Sequence, residues 1–541
     1  MMLISKFLFT KNLRIKPILN LCAFVSKNKR INFFSTKSSM ENKEGATEEC
    51  KNFGNMEMVQ SQERTNKVWV PLAKIDDSYD AKEVLIRGRV HNVRGKGNLA
   101  FVIIRQNVDT LQSIAFKSET IPKAMLKFIS NVPKESIVDI TGKLTKPDKP
   151  IESCSVQLEL QISTFFVVDR ARSALPFQIE DACRPLKEGE DDMDEEEKEE
   201  TQEASKDGKT MPRVLMKTRL DNRIIDLRTQ TKQAIFTLSS GVCMLFREFL
   251  LKNDFMEIRT PKLIGGASEG GSNVFKLKYF NKDACLAQSP QLYKQMCVMA
   301  DFERVFEVSP VFRAENSFTH RHMCEFTGLD LEMSIKEHYF EILDMCGELF
   351  VYIFKGIEER YAKQLDVIRK QFPFEPLKCS NPVLKITFEE GVNLLNEAGF
   401  KQDLHEDLDS INEKTLGKLV REKYDTDFYI LHKYPISARP FYTMLNKEDP
   451  KFTNSYDFFI RGEEITSGAQ RIHDPDFLAE RAKQCGIEVP TIQDYIDSFK
   501  FGAFPHGGVG IGLERIVFLY CNLKNIRNSS MFPRDPKRVT P

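Results

Sequence analysis

The stretch Val311–Glu332, VFRAENSFTHRHMCEFTGLDLE, constrains this 541-residue chain more than any other. It opens on an apolar run and closes on the alternating residues Phe326 to Glu332, the pattern of two strands joined by a loop. The loop carries Arg313, Glu315, His320, Arg321 and His322, with Phe326 close behind. Arginine presents a planar fork of donors that pairs with phosphate oxygens. A purine needs a flat apolar face and a few edge contacts. A hairpin that aims fixed cations at one point beside an aromatic is therefore expected to hold a nucleotide. The bland alternative is a surface hairpin with solvated charges.

The length implies two or more domains. Apolar content of 41% and charged content of 29% are globular values. Formal net charge is zero, so a nucleic-acid partner has to be met by a local basic face. The 12 cysteines are scattered without a C-x-x-C pair, which argues against structural zinc and a disulfide scaffold and for reduced intracellular thiols. No uninterrupted apolar run reads as long enough to span a bilayer, and no membrane partner is expected.

Residues 1–39 hold lysines, arginines and serines but no Asp or Glu, the composition of an organellar transit peptide, or of a leader ahead of a second start at Met40. Residues 40–67 read as a flexible polar arm. From 68 to 184, short alternating strands with one helical stretch, Ile121–Ile129, suit an OB-fold barrel. Arg87, Arg89, Arg94, Lys96 and Arg105 suggest a basic face on it. Phe101 is a stacking candidate for an unpaired base, although the pattern alone favours a core position. Residues 185–213 are a charge run, read as a solvated hinge insertion. A second α+β domain is expected over 214–541. Its first helix carries Ile235, Leu238, Val242, Leu245, Phe246 and Phe249 at helical spacing. His338 to Gln371, and the region to about Gly417, read as α-rich insertions without chemistry. TDFYILHKYP and RPFYTM read as strands of the main sheet.

Three further stretches carry chemistry. In SPQLYKQM, Gln291 and Lys294 share a helix face. In YDFFIRGEEITSGAQR, a two-residue turn at Arg461-Gly462 sets Phe459 opposite Glu464 and puts Asp457 on the same face, two hard-oxygen ligands suited to Mg²⁺. In GGVGIGLERIVFLY, the glycines let a backbone approach a ligand, and Arg515 begins a helix.

FRAE followed by THRH resembles motif 2 of the class II aminoacyl-tRNA synthetases, in the eukaryotic and archaeal aspartyl, cytoplasmic type. FMEIRTPKL resembles motif 1 and GGVGIGLERIVFLY motif 3, in order; there is no HIGH or KMSKS. The resemblance runs from about Trp69 to Pro541. It implies an antiparallel sheet flanked by helices behind an OB barrel, a homodimer through motif 1, and ligation of L-aspartate to tRNA(Asp) with ATP and Mg²⁺. By resemblance, Arg313 and Arg515 are catalytic and bind ATP with Glu315, Arg321, His322, Met323, Phe326, Glu464 and Gly512. Aspartate falls to Glu269, Gln291, Lys294, Arg313, Ser467 and Arg471. Magnesium falls to Asp457, Glu464 and Ser467, and the anticodon to Phe101 and Gln112. Lys294 separates this type from the asparaginyl enzymes, which carry an apolar residue there. A catalytically idle paralogue and a nucleic-acid-binding OB protein without an enzyme domain are the other readings. The cytoplasm is the expected compartment, with an organellar form if residues 1–39 are retained.

Overall fold

A computed structural model describes residues 52–185, 213–266 and 274–541. The basic segment 1–39, most of the charge run 185–213 and Glu269 lie outside the described residues.

The first domain is a closed barrel. β1 (Glu83–Lys96), β2 (Leu99–Gln106) and β3 (Asp109–Phe116) form an antiparallel meander, α1 (Lys123–Ser130) follows, and β4 (Ile137–Thr145) and β5 (Glu159–Asp169) complete the ring. β1 pairs with β4 over Glu83–Arg89 and with β2 over Arg89–Lys96, with a bulge between Val90 and Asn92 just past the changeover. A bulge bends a strand, so one strand serves two neighbours. β5 closes the circle, antiparallel to β4 and parallel to β3. Alternation fills the interior: Val84, Ile86, Val90, Ala100, Val102, Ile104 and Leu111 are buried.

The expected basic face is thinner than its residue list. Arg105 is buried against Glu135 at 2.9 Å, and Arg87 is paired with Asp139 at 2.7 Å. Arg94 and Lys96 remain exposed. Both pairs lie within the barrel, and Glu135 also reaches the seam with the second domain, where it takes Arg228 at 3.3 Å. Lys363 binds Asp109 at 2.6 Å across the same seam, and the Gln230 amide donates to the Val108 carbonyl at 2.6 Å.

The second domain is built on α2 (Gln230–Lys252), β6 (Met256–Glu257), α3 (Gln291–Met299), the β7 (Arg304–Phe312) and β8 (Glu325–Ser334) hairpin, α4 (Phe340–Arg360), α5 (Ala362–Gln371), β9 (Cys379–Thr387), α6 (Phe388–Glu397), α7 (Ser410–Tyr424), β10 (Phe428–His432), β11 (Ser455–Ile460), β12 (Glu463–Gln470), β13 (His506–Gly512) and α8 (Leu513–Tyr520). One eight-stranded sheet has the order β9-β10-β11-β12-β13-β8-β7-β6. The six central strands are antiparallel, and each edge strand joins in parallel.

One face of the sheet is sealed by α2, α4 and α8. Ile235, Leu238, Val242, Leu245 and Phe246 join Ile342, Phe350, Phe428, Phe458 and Val509 in a single core. His338–Gln371 is therefore core-forming rather than inserted. α2, though interrupted by polar residues, is long and apolar enough by length and mean composition to cross a membrane. Most of its apolar side chains are spent on this core. RPFYTM is not a strand: it is a turn with a bridge between Thr443 and Arg471. Every cysteine among the described residues is a free thiol.

Candidate active site

The other face of the sheet carries a cavity of about 400 Å³, within the range of small-molecule sites. Its wall includes Arg313, Glu315, Arg321, His322, Met323 and Phe326 from the β7–β8 hairpin, Gln291 from α3, Glu464, Ser467 and Arg471 from β12 and just beyond, and Gly512 and Arg515 at the start of α8. Lys294 and Asp457 are buried and do not line it, and Glu269 is outside the described residues.

The β7–β8 ladder runs in unbroken register from Arg304↔Met333 to Phe312↔Glu325, which fixes both ends of the loop between them. The Arg313 guanidinium lies over the Phe326 ring at 5.6 Å, with the Glu315 carboxylate 3.9 Å away. Arginine and ring thus form the flat, cationic wall expected of them. Arg321 is held from outside the hairpin: it donates to Glu413 at 2.9 Å and to the Ser410 hydroxyl at 2.6 Å. Both belong to α7, the region read as lacking chemistry. Burial pushes the Glu413 carboxyl up to about 7 against the pull of Arg321. His322 shares a hydrogen bond with Thr319 Oγ1 at 2.6 Å, and burial followed by Arg515 lowers its pKa, favouring the neutral ring.

α7 reaches the site by close backbone contact. At Gly417 a Cβ would stand 2.3 Å from the Gly462 Cα. Arg461 and Gly462 both have positive φ, 52° and 75°, as a two-residue hairpin turn requires. The turn of β11–β12 thus nests on α7 one helical turn beyond Glu413.

On that hairpin Phe459 faces Glu464, as the turn dictates, but Asp457 faces Ser467 because a bulge intervenes between Phe458 and Phe459. Strict alternation would put residues 464 and 467 on opposite faces. The extra residue, Ile465, turns both toward the cavity side with Asp457. Burial, and then Asp457, raise the Glu464 pKa, and Asp457 Oδ1 is buried without a hydrogen-bond partner. Two crowded carboxylates with an unspent oxygen and a hydroxyl fit a hard divalent cation that also uses phosphate and water oxygens. Among the described residues no group of three or more His, Cys, Asp or Glu forms a self-sufficient metal site. Arg515 donates to the Glu464 carbonyl at 3.1 Å. A cation in the first turn of a helix opposes the helix dipole, so its position there is favoured by the anions around it.

Deeper in, the amino-acid residues form a buried charge lattice. Lys294 donates to Asp330 at 3.0 Å and to the Val509 carbonyl at 2.8 Å, with Glu332 at 3.5 Å. Arg471 donates to Glu332 at 2.9 Å, to Gln291 at 3.3 Å and to the Gly508 carbonyl at 3.0 Å. Burial pushes the Glu332 carboxyl up, but Arg471 and Lys294 outweigh it and hold it below the usual range. The two cations are thus already matched by two carboxylates, and Lys294 sits behind Asp330 rather than on the wall. Asp330 and Glu332 went unnoticed in the sequence although they alternate with leucines in GLDLE, a signal of inward-facing acids. Arg439, which binds both Asp457 and Ser467, was also missed. Of the glycines expected to admit a ligand, Gly510 and Gly512 line the cavity, whereas Gly508 admits its own sheet: a Cβ there would stand 2.1 Å from the Leu331 carbonyl.

On the barrel, Ala100, Val102 and Ile104 point inward, so Phe101 lies on the outer face, half-buried, not in the core. Phe101 opposes Ile114 and Gln112 opposes Ile103, which puts both residues on that face. Gln112 donates to Glu159 at 2.6 Å.

Comparison with known proteins agrees with this architecture. Residues 215–536 match the family described as tRNA synthetases class II (D, K and N), and residues 84–168 match the OB-fold nucleic acid binding domain. A protein of Rattus norvegicus named "Aspartate--tRNA ligase, cytoplasmic" is 50% identical over 490 residues, 90% of this chain and 94% of that protein. The chain belongs to the class II tRNA synthetases and, among them, to the family of the aspartate–tRNA ligases. Among solved structures, the aspartyl tRNA synthetase from Entamoeba histolytica has a TM-score of 0.82 at 45% identity, covering 91% of this chain and 97% of that one. The asparaginyl-tRNA synthetase from Pyrococcus horikoshii, complexed with asparaginyl-adenylate, has a TM-score of 0.74 at 27% identity, covering 88% and 100%.

Proposed function

We propose that this chain is an aspartate–tRNA ligase that activates L-aspartate with ATP to aspartyl-adenylate and then transfers it to the 3′ end of tRNA(Asp). The observation that carries this reading is that Arg313, Arg515, Arg471, Glu464 and Ser467 share one cavity. The attacking carboxylate and the α-phosphate are both anions, so bringing them together is an electrostatic problem. Arg313, flat against Phe326, is placed to hold the α-phosphate and take up its developing charge. Arg515 and Arg321 are placed for the outer phosphates, and Met323 and Phe326 for the adenine. Asp457, Glu464 and Ser467 would hold Mg²⁺, which when bound neutralises charge on the leaving pyrophosphate. Gln291 and Arg471 would receive the aspartate, with Lys294 supporting from behind Asp330 and Glu269 closing over it. No side-chain nucleophile is required.

Phe101 and Gln112 on the barrel's outer face are our candidates for the anticodon. Met244 and Leu251 of α2, Met256 of β6 and Leu263 leave apolar side chains exposed on the motif 1 segment, which supports a homodimer there. The relative named above as cytoplasmic favours that compartment, and its name gives no support to an organellar form. Amino-acid-dependent ATP–pyrophosphate exchange tests the whole reading. Aspartate alone should support exchange. Exchange with asparagine instead would point to the asparaginyl type, and none with any amino acid to an idle paralogue.

A further inference from the structure

Arg439 is a buried cation inside the acid site with no role in the scheme above. It follows the short turn Ile436–Ala438, and its side chain is only 7% exposed. One amino group donates to Asp457 Oδ2 at 2.7 Å and the other to Ser467 Oγ at 2.6 Å. The guanidinium lies over the Tyr434 ring at 3.8 Å, and Tyr434 is itself buried.

Asp457 and Ser467 are direct partners across the β11–β12 ladder. One rigid fork therefore ties together the two ends of a cross-strand pair, a task that the single ammonium of lysine performs poorly. The bulge that turns Ser467 to this face makes the local register irregular, and the fork restrains it. Occupying Oδ2 leaves Asp457 Oδ1 as a buried acceptor without a partner. Asp407 and Glu464 act electrostatically on the same group, so the arginine also offsets the mutual repulsion of three carboxylates. Partners of this kind, one step behind a metal ligand, fix its orientation.

We infer that Arg439 is a positioning residue: it presents Asp457 and Ser467 in the one arrangement that receives a divalent cation carried on ATP phosphates. This rests on the nucleotide reading of the cavity given above. The alternative role for a cation at this point is competition, in which Arg439 takes the place of the divalent ion. The two roles have opposite signs.

The test is EPR titration of Mn²⁺ into the full-length protein with a non-hydrolysable ATP analogue, for wild type, Arg439→Gln, Arg439→Lys and Asp457→Asn, alongside thermal unfolding. Positioning predicts at least ~10-fold weaker Mn²⁺–nucleotide binding in Arg439→Gln, with a broadened bound signal. Arg439→Lys should lie between it and wild type, because it keeps the charge but loses the fork. If Arg439→Gln does not fold, the lysine variant alone decides, by weaker binding or not. Unchanged or tighter binding in the arginine variants, with Asp457→Asn still impaired, overturns the inference and leaves the site intact. Full-strength binding by Asp457→Asn overturns the cation site itself, and the inference with it.

Discussion

Lys294 and Arg471 show what a single residue does here. The family resemblance marks each as a cation for an anionic substrate, but not as half of a pair, because the partners are remote: Arg471 and Glu332 are 139 positions apart. Removing one member of a buried, bonded pair leaves the other uncompensated, at a cost of about 3–5 kcal/mol. Lys294→Leu is therefore expected to lower the unfolding midpoint as well as aspartate activation. Pyrophosphate exchange should fall by roughly 10²-fold or more in kcat/KM for aspartate. Leucine there without loss of activation would remove Lys294 from any part in aspartate activation. The lattice also bears on the choice between aspartate and asparagine. Asparagine does not strand two naked cations, since Asp330 and Glu332 already accompany them.

At the scale of elements, the β7–β8 hairpin and the Arg461-Gly462 turn were readable because strand alternation and turn chemistry are local rules. The bulge at Ile465 was not: its only sequence trace is that residues 464 and 467 must share a face, which presupposes the answer. The role of α7 was unreadable for a similar reason, since its docking rests on Gly417 meeting Gly462 through space. Two expectations follow from that docking. The Glu413 carboxyl, pushed up to about 7 by burial, is ionised above that pH and neutral below it. Its charge on Arg321 is lost as pH falls, so KM for ATP should rise below about pH 7 in wild type and stay flat in Glu413→Gln, as initial rates across pH 6–8 would record. Gly417→Val pushes a side chain into the turn. It should raise KM for ATP by several-fold and lower stability by about 1–3 kcal/mol, the usual cost of overpacking, measured by urea unfolding.

For the molecule as a whole, strand punctuation pointed to the barrel, and the family resemblance pointed to the sheet domain. The seam between barrel and sheet was not legible, because Arg105 reads as a surface residue until Glu135 and Arg228 are seen around it. Phe101→Ala and Gln112→Ala are expected to raise KM for tRNA by about 10-fold, the order of a lost stacking or edge contact. Pyrophosphate exchange, which needs no tRNA, should change by less than about twofold by the same argument; a parallel fall in exchange would mean that the barrel acts through the sheet domain. The seam has one more effect. Asp109 is tied to Lys363 and Val108 to Gln230, and both anchors sit on helices bound into the same core as the cavity floor. The barrel is bolted to the sheet domain like one jaw of a caliper. An RNA held as proposed above, by its loop on the barrel and its tip in the cavity, would have to match that gap, and length would join sequence as a condition of admission.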